Sequence, residues 1–175
     1  MKDLALVVKY YGQKNGVVIT CDEDVSVVKD PNGFRIAEWN ISDKLRQPSV
    51  DELKALEPEA LLYFARKNKL AELDTKFNDA IENGHMTCSF GVEIDANNDA
   101  LRNVGNLLLV MGADDKELFC DYNNQFHELT RIQVELLQKE IIGHIKGLYA
   151  KKWSYREQIN TLTTAEEVDS IVIEF

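Results

Sequence analysis

Apolar and polar positions change their rhythm along the chain. At the start, LALVVKYY, GVVIT, VSVVKD and FRIAEWN are short runs rich in β-branched and aromatic residues, separated by turn-forming residues. Such runs predict strands, and DPNG supplies a turn through Pro31, Asn32 and Gly33. From Ser49 the rhythm becomes helical. Ser49 and Glu52 have capping-box spacing, Pro58 suits a first helical turn, and Asn83 with Gly84 closes the segment. Leu56, Tyr63, Leu70 and Phe77 recur at heptad spacing, with Leu73, Ala80 and Ile81 on the same side. That stripe predicts either a core-facing surface or a helical partner seam, self-association included.

Alternation returns in MTCSFGVEI, residues 86–94, which predicts one half-buried strand with Met86, Cys88, Phe90, Val92 and Ile94 on one face. A helix is expected over 100–111. KELFCDYNNQFHELT then reads as two strands joined through Asn123 and Asn124. Thr130 and Gln133 form a second capping box, opening an apolar-periodic segment that reaches residue 160, about 45 Å at 1.5 Å per residue. Gly143 and Gly147 weaken that helix and permit a bend. Thr163 with Glu166 makes a third cap, and IVIEF predicts a short closing strand. The expected class is α+β: a small N-terminal antiparallel β-sheet (1–48), a central helical connector (49–84), and a C-terminal α+β domain with a long helix (85–175).

Composition adds that the chain should fold, since 45% of its residues are hydrophobic and 29% charged. Lys9 interrupts the apolar N-terminal stretch, no small-residue cleavage site follows it, and no run reaches membrane-spanning length. An unexported, soluble protein without membrane insertion is expected. Cys21, Cys88 and Cys120 are odd in number and far apart, which suits reduced thiols in a cytosolic setting. A net charge of -10 disfavours binding to phosphate backbones, so no nucleic-acid partner is expected. Only residues 131–160 are basic, with six Lys and Arg against three acids, and 161–175 follow with four acids and no base. Intramolecular charge matching is the simplest use for that segment.

Candidate chemistry narrows the reading further. Asp95, Asn97 and Asp99 have the spacing that opens a helix-loop-helix calcium site, but Ala100 stands where such a loop needs Gly and Asn106 where it needs Glu. An Asx-rich turn capping the next helix is the expectation instead. His85, Cys88, Cys120 and His127 are the nearest approach to a zinc pattern. On a single strand His85 and Cys88 would point to opposite faces, so no metal site is assigned. His144 has no partner at helical spacing. The motifs of serine hydrolases, zinc proteases, nucleotide and dinucleotide sites are missing, and no pair of carboxylates stands out. No catalytic, cofactor-binding or metal residue is assigned and no cofactor is implied; Trp39 and Trp153 are expected to pack in cores rather than to anchor interfaces.

Two stretches resemble proteins of a known kind. In GFRIAEWNISDKLRQPSVDELKAL, Trp39, Asn40, Gln47, Pro48, Ser49, Asp51, Glu52 and Leu53 resemble the N-terminal pattern of small bacteriophage tail-module proteins. From about Cys88 to Ile171 the chain is similar to an uncharacterised domain that recurs in phage tail and tail-fibre-associated proteins. Its closing signature stands here as YAKKWSYREQINTLTTAEEVDSI, and Asp95, Asp99 and Arg102 match its Asp-rich turn before an Arg-containing helix. Phe119 stands where that domain commonly has Trp. The resemblance implies a non-enzymatic tail, fibre or baseplate component, located in the virion tail after assembly in the host cytoplasm, with other tail or fibre proteins as partners and homo-oligomerisation. A tail-fibre assembly chaperone absent from the mature virion is the alternative.

Overall fold

The computed structural model describes residues 3–31 and 33–175; the expected turn residue Asn32 lies outside them. The architecture is mixed, with five helices and three two-stranded antiparallel hairpins among the described residues. The chain forms two compact units: one runs to Lys69 and takes in Thr161–Ile171, the other comprises Leu70–Asn160 and Val172–Phe175.

The first unit corrects the all-strand reading of the N-terminal segment. LALVVKYY is not a strand but part of helix α1, Leu4–Lys14, capped by Asp3, whose side chain accepts from Leu6 N. Leu4, Val7, Val8 and Tyr11 are buried, and their spacing fits a helical face. Short apolar runs satisfy either periodicity, and here the cap decides. GVVIT is likewise no strand; it packs back on α1. A Cβ on Gly12 would lie 2.5 Å from Ile19 Cγ1, so only glycine permits that return. β1 (Val25–Asp30) and β2 (Gly33–Trp39) pair as expected.

α2 spans Val50–Glu82 without interruption and begins with the expected box: Ser49 N donates to Glu52 Oε2 at 2.7 Å and Glu52 N to Ser49 Oγ at 3.2 Å. Pro58 sits inside this helix, not in its first turn. The heptad stripe faces the protein interior: Leu56 and Tyr63 pack on the first core, while Leu73 and Phe77 are buried.

In the second unit, residues 86–94 form a hairpin instead of one strand. β3 (His85–Thr87) and β4 (Glu93–Asp95) pair antiparallel around a turn in which Gly91 adopts φ 80° and donates to Cys88 O at 2.9 Å. Met86, Cys88, Phe90, Val92 and Ile94 nevertheless join one core, because the turn folds both arms against α3 (Asn98–Val110) and α4 (Arg131–Thr161). Thr130 and Gln133 cap α4 as expected, and its 31 residues run unbroken through both glycines. The last cap falls one residue later than its predicted position. Thr164 Oγ1 accepts from Glu167 N at 3.2 Å and Glu167 returns to Thr164 N, opening the short α5 (Ala165–Asp169).

IVIEF is not a strand. No strand among the described residues receives it, and side chains serve its carbonyls: Lys69 Nζ donates to Ile171 O at 3.0 Å in the first unit, and Lys76 Nζ to Ile173 O at 2.9 Å in the second.

Candidate functional site

The calcium-like loop is a helix cap. Asn97 Oδ1 accepts from Ala100 N at 2.8 Å and Asp99 pairs with Arg102 at 3.1 Å, so two of the three oxygen-bearing side chains serve α3 itself. The four zinc-pattern residues have separate local roles. Cys88 is buried in the second core, Cys120 is exposed, His85 Nδ1 lies 2.7 Å from Glu93 Oε1, and His127 Nε2 lies 2.7 Å from Asp121 Oδ2. Among the described residues no three His, Cys, Asp or Glu side chains form a metal-holding group. The expectation about His85 and Cys88 rested on a strand that ends at Thr87, so that geometric argument does not apply.

A cleft of about 440 Å³ opens in the second unit between the end of α2 and α4, lined by Lys76, Asp79, Asn83, His85, His144 and Phe175 among others. Burial, followed by the nearby His85 and Lys151, holds the His144 imidazole below its ordinary value. His85 is stacked on Tyr122 at 4.5 Å. The cleft lining contains neither a hydroxyl nor a thiol side chain, so no Ser–His, Thr–His or Cys–His pair forms there.

The more distinctive surface is the hairpin of β5 (Lys116–Cys120) and β6 (Phe126–Thr130). Its turn is built by Asp121, whose Oδ1 accepts from Asn123 N and Gln125 N, both at 2.8 Å, while Asn124 takes φ 60°. Those backbone donors, with the His127 ring, hold the Asp121 carboxyl below the usual range. One face carries Phe119 and Leu129 into the second core. The opposite face presents Leu118, 67% exposed, and Phe126, 68% exposed, with Cys120 opposite Phe126 across the ladder. The Lys116–Glu128 pair at 2.9 Å lies on that same outer face. Among the described residues neither strand pairs with a second neighbour, so each has one edge without a ladder partner.

The sequence located this hairpin but not the exposure of its apolar face, since alternation cannot say which face finds a cover. The two tryptophans also separate. Trp39 is half-buried, packs 6.3 Å from Tyr11 and donates Nε1–H to Leu45 O at 2.8 Å, whereas Trp153 is 64% exposed and so corrects the expectation of core packing. No helix among the described residues is long and apolar enough to cross a membrane.

Residues 64–172 match the domain of unknown function DUF4376. No curated protein and no solved structure matches the chain.

Proposed function

The chain belongs to the DUF4376 family, whose description carries no function, and we propose on other grounds that it is a non-enzymatic component of a bacteriophage or prophage tail, fibre or baseplate module, acting through protein–protein contact. The contact part of the reading is carried by the β5–β6 hairpin. Leu118 and Phe126 stand in solvent on a hairpin whose two outer edges pair with no further strand among the described residues, an arrangement in which a partner strand gains main-chain hydrogen bonds and apolar burial together. The tail part is supported by the resemblance of residues 39–53 and of YAKKWSYREQINTLTTAEEVDSI to phage tail-module sequences. Other tail or fibre proteins, and further copies of this chain, are the partners it implies.

The test is mass spectrometry of purified particles from the source phage or induced prophage, with this chain quantified against the major tail protein. A fixed stoichiometry is expected, and the copy number would report the symmetry of the ring or fibre. Absence from particles alongside abundance in producing cells would overturn the structural role in favour of a fibre assembly factor.

A further inference from the structure

α4 has a second, outward-facing stripe that its own core does not use. Leu136, Lys139, Gly143, Lys146, Ala150 and Trp153 follow a four-three spacing, the period of a helix seam, and all are exposed. Glu157 closes the stripe one turn further on. Gly143 and Gly147 lie in the middle of the helix, where glycine weakens helical structure, and a Cβ on either would meet nothing within 4 Å. Packing within the chain therefore does not require them. Their effect is to leave the outward face low on either side of Lys146, where another backbone can approach.

The charges say what kind of backbone fits. Lys152 pairs with Asp74 at 2.8 Å and Arg131 with Glu135 at 3.0 Å, so part of the basic segment is matched internally. Lys139, Lys146 and Lys151 have no ion pair among the described residues, although the chain carries ten more acidic than basic groups. We infer that this face of α4 docks an acidic amphipathic helix of another protein, with apolar side chains against Leu136, Ala150 and Trp153 and carboxylates against Lys139 and Lys146. A second copy fits poorly. Parallel pairing sets each lysine against its equivalent, and antiparallel pairing centred on residues 136–153 sets Lys139 against Ala150 and Lys146 against Gly143, so neither arrangement supplies the carboxylates that the lysines lack. An anionic lipid surface fits poorly as well, because Glu135, Glu140 and Glu157 interrupt the basic helix and the whole chain is repelled. The surface is separate from the β5–β6 hairpin, and the inference stands even if particles contain no copy of the chain.

The probe is a fluorescently labelled designed helix with Leu at its seam positions and Glu beside them, compared by anisotropy with the same peptide carrying Lys for Glu. The full-length protein should bind the Glu peptide about tenfold or more tightly than the Lys peptide, with affinity falling as salt rises. Lys139→Glu with Lys146→Glu should reverse the preference. Gly143→Leu should abolish binding while leaving the melting temperature unchanged or higher, which separates a blocked surface from a misfolded one. Equal binding of the two peptides, binding of neither, preferential binding to anionic phospholipid vesicles, or a dimer that Trp153→Ala dissolves would each overturn the assignment.

Discussion

The two compact units handle their apolar and charged surface differently. In the first, Trp39 is half-buried with its N–H satisfied, Tyr10 donates to Glu59 at 2.6 Å, and the same Glu59 meets Lys14 at 2.8 Å. Burial and that hydrogen bond push the Tyr10 phenol up to about 12. In the second, the core around Ile94, Leu137 and Ile141 is equally buried, yet among the described residues every large exposed apolar side chain except Val18 and Val50 belongs to this unit. An interior that is packed beside a surface that is uncovered separates folding from association: the second unit buries a core of its own, and its outward Leu118, Phe126 and Trp153 lie outside that core.

Substitutions can break that contrast. The largest effect is expected for Trp39→Ala, which removes the ring beside Tyr11 and leaves Leu45 O without its donor; about 3 kcal/mol of stability should be lost in urea denaturation. Thr164→Ala deletes the reciprocal cap on α5 and should cost about 1 kcal/mol by the same measurement.

A smaller, salt-screened effect belongs to Glu52, whose carboxyl is held down to about 2 by Arg46 and then by Ser49. A depressed folded-state value means that its contribution is fully present above the ordinary value near 4.5 and disappears as pH falls from there towards 2. Melting temperatures across that window should therefore fall less steeply for Glu52→Gln than for the parent. Least of all should change in Trp153→Ala, within about 0.5 kcal/mol of the parent, because the exposed ring has little burial to lose. A Trp153→Ala loss as large as that of Trp39→Ala would erase the distinction between the two rings.

Much of the fold was legible where a local signal and a long-range one agreed. Ser49 with Glu52 and Thr130 with Gln133 mark helix starts by hydrogen bonds made within four residues, and the stripes that follow them are long enough to exclude strands. The β5–β6 hairpin was legible for a similar reason, since Asp121, Asn123 and Asn124 supply its turn directly. LALVVKYY is ambiguous in sequence because eight apolar-rich residues fit both periods, and Asp3 as a cap is the signal that distinguishes them. MTCSFGVEI hid a turn at Gly91 inside perfect alternation. IVIEF looked like a strand but found lysine ammonium groups rather than a ladder, a choice set by residues about a hundred positions away.

For the candidate surfaces, the sequence gives the residues but not their exposure. Nothing in KELFCDYNNQFHELT says that Leu118 and Phe126 face outwards while Phe119 and Leu129 face the core, because that depends on which side α3 and α4 occupy. The mid-helix glycines of α4 suggest a bend by propensity alone. Only the open space beside them suggests a contact instead.

The most direct test of the contact reading compares one exposed position from each unit. A photoreactive benzoylphenylalanine is placed at Phe126 on the hairpin and, separately, at Val18, which is 90% exposed in the first unit. Both variants are irradiated in phage-producing cells, and the cross-linked proteins are identified by mass spectrometry. A specific cross-link from position 126 to a tail or fibre protein, with none from position 18, is the expected result. No cross-link from either position, or indiscriminate cross-links from both, would contradict the claim that the second unit carries the contact surface.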